Sequence, residues 1–212
     1  MRSKSFLAAV FVAALALPAV AQNPDTTPTR IRGTVDKLDG QSLVVKSRDG
    51  QSLSIALAPN FTVLGVVTKS VADIKPGDYV ASTSVKGPDG KLKAIEVHIF
   101  PENMRGVAEG QFPWDLVPES VMTNATVAQV TSAPEGQVIK VTYQVIKVTY
   151  KGGGEAEVTI PPGIPIVGYV PADPGLLKPG AAIFMVAQKK KDDGSLSAAR
   201  VTAEKDGVKP PM

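Results

Sequence analysis

The sequence of 212 residues is 43% hydrophobic, 20% charged and 5% aromatic, with no Cys, one His and one Trp. That balance is globular rather than disordered, and the length admits one large domain or two small ones. Without Cys there is no thiol catalysis, iron–sulfur cluster, thiolate zinc site or disulfide. A lone His cannot build a multi-histidine metal cage. With Arg2 and Lys4 set aside, 21 of the 23 basic residues stand against 20 acidic ones, too even a balance for a nucleic-acid surface.

Arg2 and Lys4 precede an unbroken apolar run over residues 6–17, which Pro18 ends before Ala19-Val20-Ala21. Twelve helical residues rise about 18 Å, short of the ~30 Å hydrocarbon core. Residues 1–21 therefore read as a cleaved secretory signal, with cleavage between Ala21 and Gln22. No Cys follows for lipid attachment, and no later apolar run reaches transmembrane length. The expectation is a periplasmic or secreted protein, soluble and without a membrane span after cleavage.

After a flexible tail at residues 22–29, the chain alternates in short segments bounded by Gly, Pro and Asp, the pattern of an all-β protein. Residues 30–38 read as a strand, Asp39-Gly40 as a turn and residues 42–46 as its return. Asp49-Gly50 makes a second tight turn into residues 52–57, and residues 61–67 continue past Pro59. Ser70 suits the cap of one helical turn that Pro76-Gly77 ends. Residues 79–86 and 92–99 then form a hairpin across Pro88-Asp89-Gly90. Three strands, a short helical turn and two strands give the element order of an OB-type barrel.

The second half repeats this order. Gly33-Thr34-Val35 matches Ala125-Thr126-Val127 at an offset of 92, and Gly40-Gln41 matches Gly136-Gln137 at 96. Residues 48–77 run alongside 151–180 without a gap at 103, pairing Pro59 with Pro162, Gly65 with Gly168, and Lys75-Pro76-Gly77 with Lys178-Pro179-Gly180. Gly90, Leu92 and Ala94 meet Gly194, Leu196 and Ala198 at 104. The expected organisation is two tandem OB-like β-barrels, residues 30–100 and 122–205, each with one short helical turn. A connector at residues 101–121 separates them, and residues 206–212 form a tail.

The glycine-led first strand, the Lys-Pro-Gly before the fourth and the Gly-x-Leu-x-Ala opening the fifth resemble a family of OB-like domains of unassigned function in exported bacterial proteins. Arg105-Gly106, Glu109-Gly110, Pro113-Trp114-Asp115-Leu116 and residues 122–127 resemble the middle of a subset labelled metal-transporter permeases. That label implies several spanning helices, which this chain lacks after cleavage. The subset often has His where this chain has Gln111, a departure that removes a possible metal ligand.

Residues 137–143 read QVIKVTY and residues 144–150 read QVIKVTY again, which accounts for the step in offset from 96 to 103. Seven is odd and strand side chains alternate with period two, so the two copies present opposite faces. One copy is expected in the register of residues 42–47, the other extruded as a bulge or ribbon, and self-association is expected through residues 137–150. The flanks do not choose between the copies.

Candidate chemistry is sparse. His98 and Glu96 share a strand face and, with Glu102, form the weak metal alternative. A half-exposed strand histidine is the commoner role. Arg105, Glu109, Trp114 and Asp115 lie in the connector. Trp114 either plugs the seam between barrels, with Asp115 capping the next turn, or stacks on a sugar ring at a groove. No nucleophile elbow, phosphate loop or zinc motif is present, and no cofactor is implied. The favoured reading is a non-enzymatic exported binding or structural module for an envelope glycan or protein partner. A periplasmic metal-handling accessory protein is the alternative, and a hydrolase the third reading.

Overall fold

The computed structural model describes residues 25–135 and 141–211. The expected signal at residues 1–21 lies outside the described residues, as does the stretch 136–140, which includes the first four residues of the first heptapeptide.

The fold is all-β. Its strands are β1 (Thr26–Asp39), β2 (Ser42–Ser47), β3 (Ser52–Thr68), β4 (Tyr79–Lys86), β5 (Leu92–Ile99), β6 (Gly110–Pro113), β7 (Val121–Glu135), β8 (Val141–Tyr150), β9 (Gly154–Ile160), β10 (Ile166–Ala172), β11 (Ala182–Lys190) and β12 (Leu196–Ala203). Single 3-10 turns at Val71–Asp73, Glu102–Met104 and Pro174–Leu176 interrupt them. The first is held by Asp73, whose carboxylate accepts from the Ser70 N–H at 2.7 Å and hydroxyl at 2.8 Å.

The strands close a five-membered barrel, but not from one contiguous half of the chain. Following hydrogen bonds, β1–β2–β3–β12–β11 returns to β1, with β3 and β12 parallel. The other circuit, β7–β8–β9–β5–β4, returns to β7 and closes through the short parallel pairing of Leu92 with Val158 and Lys93 with Thr159. Each circuit therefore takes three strands from one half and a hairpin from the other. The boundaries expected at 30–100 and 122–205 are cut across by this exchange. The last strands of the two hairpins carry the same inward apolar pattern. Leu92, Ala94 and Val97 fill one interior; Ala198, Val201 and Ala203 fill the other.

The crossing is made by β3. At about 3.3 Å per residue its 17 residues reach about 56 Å, more than one small barrel wall needs. Its far end pairs antiparallel with β10, Val66 facing Tyr169, the residue 103 positions further on. Gly65 and Val67 face Val170 and Gly168, their own counterparts exchanged. The pairings on either side follow the same rule: Val97, His98 and Ile99 lie beside Ile166, Val167 and Gly168, while Val201, Thr202 and Ala203 lie beside Val63, Leu64 and Gly65. A local two-fold thus relates the two circuits at the middle of the sheet.

Both expected tails are partly folded. Residues 26–29 belong to β1 and pair with β11 from Lys190 to Ala187. Val208 bridges to Lys205 and packs against the seam cluster, because that cluster offers apolar surface beyond the last strand.

The second heptapeptide copy is the one in the barrel. Gln144 to Thr149 pair with both β7 and β9 and Tyr150 with β9, whereas Val141 to Tyr143 pair with β7 alone. Ile146 and Val148 fill the interior as Leu43 and Val45 do in the other barrel. The extra residues prolong the β7–β8 ribbon beyond the barrel wall.

Candidate functional site

Position in the fold turns two ordinary strand residues inward. Along β5 the register skips Ile95, since Thr83 faces Glu96 while Ser84 faces Ala94. A bulge of this kind reverses side-chain parity. Leu92 and Ala94 before it and Val97 after it face the barrel interior, so Glu96 and His98 face the opposite side. That side is the seam between the barrels rather than solvent, and each residue is only 1% exposed. His98 is thus not the half-exposed histidine of the commoner reading.

The buried groups form a short polar chain. The Tyr169 hydroxyl meets His98 Nδ1, His98 Nε2 lies 3.5 Å from Glu96 Oε1, and the Thr83 hydroxyl donates to that oxygen at 2.5 Å. Burial, and after it the Glu96 carboxylate, push the Tyr169 phenol far above its ordinary range. The phenol therefore stays protonated. Glu96 Oε2 and Asn124 Oδ1 are buried without a partner in the same region, which leaves acceptor capacity in this wall.

Glu102 does not join them. Its carboxylate takes two hydrogen bonds from Arg105, both 2.6 Å, which hold its pKa below the usual value. Arg105 also donates to the Gly77 carbonyl at 2.9 Å, so this pair fastens the connector to the β3–β4 loop. Glu109 is exposed nearby, and its charge, after burial, raises Tyr79 to about 12. Among the described residues, no three His, Cys, Asp or Glu side chains are grouped as metal ligands.

Trp114 lies half-buried over the seam. Its ring is 6.2 Å from Phe184 and 6.0 Å from Phe112 between centroids, and the Arg30 guanidinium sits 4.0 Å above it. Asp115 does not cap the following turn. Its carboxylate takes two hydrogen bonds from Arg32, at 3.1 and 2.8 Å, and lies 3.5 Å from Arg30. Burial pushes this carboxyl up, but the Arg32 hydrogen bonds and both positive charges outweigh it and leave its pKa lowered. The turn is instead closed by Ser120, whose hydroxyl donates to the Val117 carbonyl at 2.7 Å.

Between these parts lies a cavity of about 750 Å³, within the range of small-molecule sites. Phe100, Phe112, Trp114, Tyr169 and Phe184 border it with Met104 and Met122, and His98, Asn124, Arg30, Arg200 and Thr202 supply polar groups. For a chain with so few aromatics, this is a marked concentration. Sequence reading finds Trp114, Asp115 and His98 but misses Tyr169, Phe184, Arg30, Arg32 and Arg200. The usable signal was mismatch at aligned positions, such as Tyr169 against Val66 and Phe184 against Ala81.

Fold and site together define an all-β protein with a closed five-stranded barrel and an aromatic cavity beside it. In comparisons with known proteins, no family model, curated protein or solved structure matches the chain. Among the described residues no helix is long and apolar enough to cross a membrane.

Proposed function

We propose that this is an exported, non-enzymatic binding module of two OB-type barrels that have exchanged their last hairpins, with the seam cavity as its binding site. The strand order in each circuit supports the OB assignment: first, second, third, last, fourth, with the third and last parallel. The resemblance to OB-like domains of exported bacterial proteins, and the leader-like residues 1–21, support export.

The observation that carries the binding role is the lining of the cavity. Five aromatic and three methionine side chains line it, Met185 among them, with polar groups at fixed places, as in sites that enclose a compact ligand. Such a wall suits a small, mainly apolar molecule better than an extended envelope glycan or a protein surface. The metal reading is left with Glu96 and His98, since Glu102 is held by Arg105.

Titration with the neutral fluorophore N-phenyl-1-naphthylamine tests the binding role. One saturable site per chain is expected, with the dye's emission enhanced. Val186→Trp, at a 45% exposed position on the cavity wall, should block it without unfolding the protein. Dye uptake that does not saturate, or that is unchanged in this variant, would remove the cavity as the site.

A further inference from the structure

The cavity lies between two sheet faces built from corresponding positions, and their chemistry is opposite. On one face, Arg30 of β1 pairs with Val186 of β11, with Arg200 on the neighbouring β12; in the next row, Arg32 pairs with Phe184 and Phe184 with Thr202. On the other face, Met122 of β7 pairs with Thr83 of β4 and Thr83 with Glu96 of β5; the next row is Asn124, Ala81 and His98. By the offsets of 92, 103 and 104, the six positions correspond one to one. Arg30 answers Met122, Arg32 answers Asn124, and Arg200 answers Glu96.

One sheet face therefore carries three arginines, of which Arg30 and Arg200 border the cavity, and the other carries none. Among the described residues, Asp115 is the carboxylate paired with that cationic face, and it serves both Arg30 and Arg32. Arg200 borders the cavity, is exposed, and makes no ion pair among the described residues. A second depression of about 630 Å³ shares Thr29, Arg30 and Asp115 with the cavity and continues past Arg48 and Lys189. On the opposite face the carboxylate of Glu96 is buried behind the cavity lining. An anion entering this space is drawn to the arginine wall and disfavoured at the other.

We infer that the ligand is a small amphipathic anion, its carboxylate or sulfonate head beside Arg200 and its alkyl or aromatic body against Phe184, Trp114, Phe100 and Met122. This rests on the cavity being the binding site. Guanidinium suits such a head because its fixed donors match two oxygens at once. Met122 and Met104 let the apolar end adapt to bodies of different outline.

The test uses 8-anilinonaphthalene-1-sulfonate as an anionic reporter, displaced by dodecanoate or by dodecanol. Dodecanoate should displace the reporter at least about tenfold more effectively than dodecanol, a difference of ~1.4 kcal/mol. Arg200→Gln should weaken the reporter and dodecanoate together and erase the tenfold preference, with dodecanol's competition against neutral N-phenyl-1-naphthylamine unchanged, and Arg200→Lys should keep part of the preference. Equal displacement by acid and alcohol, with N-phenyl-1-naphthylamine still bound, would overturn the anion inference alone. If neither fluorophore binds at one saturable site, the cavity reading falls with it.

Discussion

The two barrels agree inside and disagree outside. Their interiors match position by position: Leu43 with Ile146, Val45 with Val148, Ile55 with Val158, Leu57 with Ile160, Val201 with Val97. Packing at near-crystalline density tolerates exchange among branched aliphatics of similar volume and little else. The faces turned to the seam share the same backbone register, yet one carries Arg30, Arg32 and Arg200 and the other Met122, Asn124 and Glu96. A face that is not fixed by a barrel core is free to differ, and the difference polarises the cavity. One interior also departs from the rule. Where the first barrel has Ile31, Met185 and Ala187, the second has Thr123, Ser82 and Ser84, all buried. The two serine hydroxyls satisfy each other at 2.9 Å, and Thr123 accepts from Gln111 at 3.0 Å, so their burial leaves no orphaned hydroxyl. Gln111 thus acts as a partner of the second barrel's polar end.

The largest effect should come from separating the halves. A break between Val107 and Ala108 leaves every barrel pairing in place but divides each circuit between two fragments. Coexpressed fragments 25–107 and 108–211 should copurify as one complex with a single cooperative melt. Fragment 25–107 alone should elute as a dimer or larger species, since its β4–β5 hairpin has no partner strands of the other half. A monomeric fragment that unfolds cooperatively would show the hairpin folding back onto β1–β3, and the exchange would not be a property of the sequence.

A smaller effect is expected at the arginine wall. Asp115→Asn should cost about 1 kcal/mol, because the carboxylate is half exposed even though Arg32 is not. The pH dependence has a definite sign. A carboxyl whose folded pKa is lowered below 3.8 contributes fully above that value and loses its contribution as the pH falls through the lower folded one. Trp114 emission should therefore hold down to pH 3.8 in the wild-type protein and shift to the red only as the pH falls through the lowered folded pKa, and stay flat over that range in Asp115→Asn. An unchanged emission in the wild type would separate the indole from the clamp. No counterpart exists on the opposite wall, where Asn124 answers Arg32, so the effect measures the asymmetry itself.

The smallest effect on stability should follow removal of one heptapeptide. Deleting residues 137–143 or 144–150 yields the same sequence, and one copy suffices to pair with β7 and β9 as β2 pairs with β1 and β3. The melting temperature should stay within a few degrees, while light scattering should show less self-association, since the ribbon edge beyond β9 is gone. A markedly lower melt would mean that the protruding ribbon stabilises the barrel.

The amino-acid sequence by itself determined the strands, their turns, the matched halves and the odd-numbered insertion, because each is written in local alternation and in residues such as Gly40 and Gly50, both at positive φ. It also placed Glu96 and His98 on one face and Trp114 beside the seam. It did not decide which hairpin closes which barrel. Leu92, Ala94 and Val97 and their counterparts Leu196, Ala198 and Val201 are nearly the same apolar set, so the local pattern of these strands does not assign them to a barrel. That choice depends on the β3–β10 crossing, a contact between residues about a hundred positions apart. Nor did the sequence show that the outward face of β5 is buried, or that Tyr169, Phe184 and the three arginines converge on it. Those follow from the two-fold arrangement that brings two equivalent sheet faces together, a relation that no local pattern encodes.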